Sequence, residues 1–210
     1  MSEQRQWSVG IVLFDEVEVL DFAGPFEVFS VAAYEHHVAK DEGFPFIVRT
    51  VSEAGVMISA CNGLKVQPDY SFANAPHFDI VVVPGGWGAR EREIHNESMI
   101  RWIQTRAPLT ELMTSVCTGS LLLAKAGLLD EKRATTHWAS YERFESEFPT
   151  VQVVRDVKYV DEGNLLTSGG ISAGIHMSFH IVRRLLGVDI ARSTAKRMEY
   201  DIIFEDDTDV

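Results

Sequence analysis

Continuous runs of apolar residues alternate along the chain with segments in which apolar positions recur at helical spacing. Residues 8–14 and 79–83 are runs of β-favouring residues, typical of parallel strands that are covered on both faces. The longest segment with helical spacing covers residues 172–186 and is followed by Gly187. Because strands and helices alternate in this way, the sequence predicts an α/β protein, a three-layer sandwich with a mostly parallel central sheet.

Local signals place the remaining elements. Pro25 is suited to the first turn of a helix, so a helix is expected to open at Gly24-Pro25. Asn62-Gly63 predicts a hairpin turn, and Asp189 is expected to cap a last helix. Further predictions are strands over 44–51 and 109–116, a helix over 138–148, and a hairpin of 151–160 with 165–167.

Ligands of parallel α/β sheets bind at the carboxyl ends of the strands, and the strand that ends at Cys117 carries the sharpest chemical signal. Ser115 and Gly119 place a small residue two positions before and after Cys117, as a nucleophile on a tight strand-to-helix turn requires. Such a nucleophile elbow sets the sulfur at a helix N-terminus, which favours the thiolate. The alternative is a buried structural cysteine, as free cysteines often are.

A glycine-rich turn follows the strand over 79–83. The backbone N–H groups of Gly85 and Gly86, followed by Trp87, could approach a substrate and form an oxyanion-type site with the amide of Thr118. The alternative is a tight turn that only needs positive φ. No Walker or dinucleotide fingerprint is present, so phosphate binding is not expected.

A third strand end carries Asp21, between the first strand and its expected helix. A carboxyl group close to a thiolate would have a raised pKa and could shuttle a proton. A helix-capping aspartate is an equally good interpretation of the local sequence.

Histidines supply the remaining candidates. His137 follows a strand-like segment and is either a general base or a packed loop residue. His176 and His180 have the i, i+4 spacing that can bind zinc, but no third ligand converges on them, so no metal site is expected. Cys61 lies beside the Asn62-Gly63 turn, and no role is expected for it.

Composition narrows the setting. The 210 residues carry 19 basic and 31 acidic side chains, a formal charge of −12, which disfavours binding to nucleic acid or anionic membranes. Residues 205–210 form an acidic tail. No membrane-spanning or signal segment is evident, and with two cysteines and no disulfide framework we expect a cytoplasmic protein.

Taken in chain order, Asp21, the glycine-rich turn and Cys117 resemble the ThiJ/PfpI superfamily. Members of this superfamily have the flavodoxin-like fold of class I glutamine amidotransferase domains. Within the superfamily the chain is most similar to isonitrile hydratases. The resemblance spans residues 9–200, which predicts a single domain over 1–204. It is carried by the segments 20–28, 83–86, 114–120, 126–129, 132–138 and 163–170.

This resemblance implies a cofactor-independent enzyme that adds water to an isocyanide and releases an N-substituted formamide. It implies that Cys117, Asp21 and Thr118 are catalytic, and that the protein is a homodimer acting on a small molecule. Isonitrile hydratase-like chains tend to have Asp where this chain has His176, so a pocket-facing His176 would alter substrate choice. We expect the substrate to contact Gly85, Gly86, Trp87, His137 and His176.

Two alternatives remain open. Similar domains form the ligand-sensing half of AraC-type regulators, so a ligand- or redox-sensing module is one. The chain ends at Val210 without a helix-turn-helix, so we expect no DNA-binding half. The other is a different superfamily activity, such as a glyoxalase. A Cys-His protease dyad is disfavoured because Thr118 stands where such members have histidine.

Overall fold

A computed structural model of the chain describes residues 5–34 and 43–204. Within them it has eleven strands: β1 (Trp7–Val12), β2 (Phe46–Ser52), β3 (Ile58–Ser59), β4 (Lys65–Val66), β5 (Tyr70–Ser71), β6 (Ile80–Val83), β7 (Leu112–Val116), β8 (Arg133–Ala134), β9 (Gln152–Val153), β10 (Tyr159–Asp161) and β11 (Leu165–Ser168). The same residues form seven α-helices: α1 (Val19–Val31), α2 (Trp87–Glu91), α3 (Glu97–Arg106), α4 (Gly119–Lys125), α5 (Tyr141–Glu147), α6 (Ala173–Leu186) and α7 (Val188–Arg197). The acidic tail over 205–210 lies outside the described residues.

The central sheet has seven strands in the order β10-β11-β7-β6-β1-β2-β5. Neighbouring strands are parallel except for the antiparallel pair of β10 and β11. The long parallel strands β2, β1, β6, β7 and β11 follow the flavodoxin-like order 2-1-3-4-5. The predicted α/β class with a mostly parallel sheet is therefore confirmed.

Helices cover the sheet in two layers, since α1, α6 and α7 contact one another and α2 and α3 both pack on α4. Every residue of β6, β7 and β11 is buried, as expected for central strands covered on both faces. None of the helices in the described ranges is long and apolar enough to cross a membrane.

The start of α1 differs from the prediction. The helix begins at Val19, and Pro25 lies inside it rather than in its first turn. The carboxylate of Glu18 accepts a hydrogen bond from the Val19 amide at 3.2 Å and so caps the helix six residues earlier than the proline signal implied. Asp21 consequently lies on the first turn of α1 and does not precede it.

Other boundaries shift for local reasons. A 3₁₀ turn over Ala107–Leu109 precedes β7, which is therefore shorter than the expected strand over 109–116. Asp189 lies in the first turn of α7, whose N-cap is Gly187. Of residues 151–160 only β10 forms a hairpin with β11, because β9 pairs with β8. The hairpin at Asn62-Gly63 is present as the antiparallel pair of β3 and β4.

Candidate active site

The carboxyl ends of β1, β6, β7 and β11 meet at a cavity of about 170 Å³. Pockets for drug-sized ligands usually measure about 300–1,000 Å³, so this one suits a small molecule. Its lining consists of Glu18, Gly86, Trp87, Arg90, Cys117, Thr118, His137 and Ile171.

Cys117 occupies a strained turn between β7 and α4. Its φ is 57°, in the left-handed region that non-glycine residues rarely adopt. The conformation is held by its amide, which donates to the carbonyls of Ser168 at 3.2 Å and Gly169 at 3.1 Å. Cys117 is only 6% exposed and faces the cavity. This geometry is that of a nucleophile elbow.

Close backbone approach explains the small residues around the elbow. A Cβ at Gly119 would lie 2.0 Å from the Val83 carbonyl oxygen, and one at Gly85 would lie 2.5 Å from the Thr118 amide nitrogen. On the β11 side, a Cβ at Gly170 would lie 2.2 Å from the His137 ring and 3.2 Å from the Cys117 sulfur. The turns after β6, β7 and β11 are thus packed directly against one another.

Gly119→Ala is expected to destabilise the protein by about 2–3 kcal/mol, because the new methyl group would overlap the β6 backbone. Gly169→Ala is the matched control, since its Cβ would come no closer than 3.4 Å to any neighbouring atom, which is ordinary van der Waals contact. Denaturant unfolding of both variants measures the difference. Equal free energies of unfolding would show that the elbow does not depend on this contact.

Asp21 is fully buried next to Cys117. Its Oδ2 accepts from the Gly85 amide at 3.1 Å and its Oδ1 from the Ile171 amide at 2.9 Å, and the side chain also hydrogen-bonds Cys117. Burial raises the pKa of Asp21 to about 7, although these three bonds oppose the shift. The helix-capping alternative is wrong, because Glu18 caps α1.

The Cys117 thiol does not follow the expectation of a stabilised thiolate. Burial, and next the charge of Asp21, raise the pKa of Cys117 well above its usual value, and hydrogen bonds from Thr118 only partly offset this. Helix α4 has only seven residues, so its N-terminus is a weak source of positive potential. At neutral pH the site therefore holds a thiol beside a carboxyl group that titrates near pH 7.

Thr118 joins the elbow to the glycine-rich turn. The Gly86 amide donates to the Thr118 hydroxyl at 3.0 Å. The expected oxyanion-type site of the Gly86 and Thr118 amides is therefore not open, because the first is engaged by the threonine hydroxyl and the second donates to the Cys117 sulfur. The turn instead holds side chains in place, since Gly85 binds Asp21 and Gly86 binds Thr118.

His137 and Trp87 line the cavity, as expected. The His137 Nδ1 accepts from the Ala139 amide at 3.3 Å, which leaves Nε2 as the protonated nitrogen of a neutral ring. Burial, followed by the charge of Arg90, lowers the pKa of His137. At neutral pH the ring is thus a hydrogen-bonding group without charge.

His176 does not join this site. It hydrogen-bonds Tyr200 at 3.2 Å and lines a separate cavity of about 60 Å³ with His180. His180 in turn binds Asp161 at 2.7 Å. In the described part of the chain, no group of three or more His, Cys, Asp and Glu side chains could hold a metal ion. Cys61 lies outside the site, with its sulfur 3.2 Å from the Glu16 carbonyl oxygen.

Sequence reasoning missed three lining residues, Glu18, Arg90 and Ile171. Ile171 follows the end of β11, and the rule that sites form at strand ends could have found it. Arg90 stands three residues after Trp87, a spacing that places both on one side of a helix. Glu18 had no signal apart from its position before α1.

The chain was compared with models of protein families, with curated proteins and with solved structures. Residues 7–184 match the model of the DJ-1/PfpI family. The chain belongs to the DJ-1/PfpI family. The ThiJ/PfpI resemblance drawn from the strand-end motifs is thereby confirmed.

Family members of different kinds are similar to this chain. Isonitrile hydratase from Pseudomonas putida is 35% identical over 195 residues, covering 91% of this chain and 78% of the relative. The HTH-type transcriptional regulator GbdR from Pseudomonas aeruginosa is 29% identical, and the chain spans about half of its length, with coverages of 93% and 51%. A crystal structure of a ThiJ/PfpI family protein from Pseudomonas syringae, 23% identical, superposes with a TM-score of 0.82 over 95% of this chain and 77% of that one.

Proposed function

We propose that this DJ-1/PfpI protein hydrates an isocyanide to an N-substituted formamide through a covalent adduct on Cys117. The observation that carries the proposal is the pair of Cys117 and Asp21, a thiol hydrogen-bonded to a buried carboxyl group whose pKa is about 7. An acid-base group is most effective when its pKa lies near the operating pH. The 35% identity to isonitrile hydratase supports the choice of substrate class.

In the first step, the Cys117 sulfur attacks the terminal carbon of the isocyanide. Because the thiol pKa is high, the Asp21 carboxylate takes the proton as the S–C bond forms. It then delivers this proton to the same carbon. The product is a thioimidate, R–N=CH–S–Cys117, which contains every atom of the isocyanide and of the thiol.

In the second step, the Asp21 carboxylate removes a proton from water as the water oxygen bonds to the thioimidate carbon. Asp21 then passes this proton to the nitrogen and is a carboxylate again. The C–S bond of the tetrahedral intermediate then breaks, and the Asp21 carboxylate takes the hydroxyl proton and gives it to the leaving sulfur. The products are R–NH–CHO and the Cys117 thiol, with no net oxidation or reduction. The Thr118 hydroxyl, which lines the cavity, orients the attacking water.

Thr118→Val is expected to lower kcat about 10- to 100-fold, since the isosteric side chain can neither orient water nor accept the Gly86 hydrogen bond. Thr118→Ser retains the hydroxyl and is expected to stay within a few fold of the parent rate. Steady-state kinetics with one isocyanide compares the two. A valine variant as fast as the serine variant would remove Thr118 from the mechanism.

Similarity to GbdR over 93% of this chain favours a second candidate, a ligand-sensing domain without turnover. Incubation of the purified protein with isocyanides, 2-oxoaldehydes and small amides separates the two candidates. The hydratase proposal expects many equivalents of formamide per protein from isocyanides. Ligand binding without product from any of the three classes would favour the sensing domain.

A further inference from the structure

The cavity above Cys117 contains a cation that the mechanism does not use. Arg90 lies on α2, one helical turn beyond Trp87, and both side chains line the cavity. The guanidinium carbon lies 4.8 Å from the centre of the Trp87 ring. Stacking on an indole holds the flat guanidinium in one orientation and leaves its N–H groups free to bind a ligand.

Arg90 is half-buried, and its shielded Nε lacks the partner that such a group normally has. Its Nε is shielded from solvent and has no hydrogen-bond partner. Across residues 5–34 and 43–204, the structure shows no ion pair or hydrogen bond of the Arg90 side chain. A guanidinium cannot shed its proton at physiological pH, so an unpaired buried N–H of this kind calls for an acceptor.

The neighbouring carboxylates do not supply that acceptor. Glu18 lines the same cavity, but its Oε1 caps α1 and, among the described residues, no hydrogen bond or ion pair joins its carboxylate to Arg90. Both oxygens of Asp21 accept from the amides of Gly85 and Ile171. The charge of Arg90 instead acts across the cavity on His137, whose pKa it lowers. Arg90 and His137 therefore face a common space above Cys117.

We propose that Arg90 binds an anionic group, a carboxylate, on the small molecule whose reacting atom lies at Cys117. Guanidinium and carboxylate match in a bidentate geometry, and a carboxylate would also bring an acceptor to the unpaired Nε. The substrate class that follows is isocyanides that carry a carboxylate, and this part of the inference rests on the proposed function. The anion preference itself rests only on Arg90, Cys117 and the cavity between them.

Alkylation of Cys117 tests the preference without any turnover. Iodoacetate and iodoacetamide both transfer a CH₂ carbon to sulfur with loss of iodide. They differ only in that iodoacetate carries a carboxylate and iodoacetamide an amide. Arg90→Gln is expected to lower the ratio of the iodoacetate rate to the iodoacetamide rate about tenfold at Cys117. Peptide mass spectrometry assigns each rate to its cysteine, and Cys61 in the same chain is expected to keep its ratio.

Arg101→Gln is the matched control, because Arg101 is an exposed arginine on α3 that does not line the Cys117 cavity. This variant is expected to leave the Cys117 ratio unchanged. An equal ratio in the parent protein and Arg90→Gln would overturn the proposal. If Arg90→Gln does not fold, the parent protein still decides, since acetate should protect Cys117 from iodoacetamide and acetamide should not. Equal protection by the two, or none by either, would also overturn it.

Turnover separates this proposal from the hydratase function. Isocyanoacetate is expected to be hydrated with a kcat/KM about tenfold above that of its methyl ester, and Arg90→Gln is expected to abolish the difference. Anion-selective alkylation without hydration of any isocyanide would support the Arg90 site and refute the hydratase proposal. Equal hydration of both isocyanides by the parent protein would support the hydratase proposal and refute the Arg90 site.

Discussion

Cys117→Ser is expected to lower isocyanide hydration by at least about 10³-fold. A serine hydroxyl has nearly the same shape but is a far weaker nucleophile than a thiol, and Asp21, with a pKa of about 7, is too weak a base to activate it. The loss should fall on kcat more than on KM, because the substitution leaves the cavity walls in place. Formamide production at saturating isocyanide measures it.

Cys61→Ser is the control for this experiment. Cys61 is the other free cysteine of the described residues and lies outside the cavity, so its replacement should keep the parent rate. Circular dichroism and thermal unfolding establish that both variants fold. Hydration by a folded Cys117→Ser protein at the parent rate would end the covalent mechanism.

Asp21→Asn is expected to lower kcat about 10²- to 10⁴-fold, because the site loses the group that carries every proton. In the parent protein, kcat/KM should rise with pH through an apparent pKa of about 7, since Asp21 must be ionised to accept the thiol proton. The variant should lack this limb. Rate profiles from pH 5 to 9 record the change; a limb near pH 7 that persists in Asp21→Asn would assign the titration to another group.

The same substitution has an opposite effect on the thiol, which distinguishes a catalytic role of Asp21 from a structural one. The Asp21 charge raises the pKa of Cys117, so its removal should lower that pKa and speed alkylation by iodoacetamide near pH 8. Glu18→Gln, which removes the charge of a carboxylate that lines the cavity, is the matched control. It should change the pH profile of hydration and the rate of alkylation far less. Slower alkylation together with slower hydration would indicate a disrupted site.

The elbow and the sheet could be predicted because their requirements are local. The apolar runs that form β6 and β7 are typical of buried parallel strands. Residue 119 must be glycine because the Val83 carbonyl oxygen lies against it. The sequence predicts that Asp21 lies at the carboxyl end of the sheet, as it does, but it predicts a helix that begins after Asp21, whereas α1 begins at Val19. The proline rule overlooked Glu18, a longer side chain that can also reach the first free amide of a helix.

What the sequence could not predict depends on contacts between distant segments. The Gly86 amide donates to the hydroxyl of Thr118, 32 positions along the chain, so it is not free to form the expected oxyanion site. His176 lies on α6, and its ring is hydrogen-bonded at 3.2 Å to the Tyr200 hydroxyl, 24 positions along the chain, and not directed at the Cys117 cavity. The high pKa of Cys117 follows from burial and from a carboxylate far away in sequence, which no helix-terminus argument includes.

In the proposed reaction, Cys117 adds to an isocyanide and water then releases a formamide. Its most direct test is incubation of the purified protein with an isocyanide labelled with ¹³C at the terminal carbon, followed by ¹³C NMR and, after an acid quench, by mass spectrometry of the intact chain. We predict many equivalents of labelled N-substituted formamide, and a protein species heavier by one whole isocyanide, mapped to Cys117. Absence of labelled formamide from the parent protein, or its formation at the same rate by Cys117→Ser, would contradict the account.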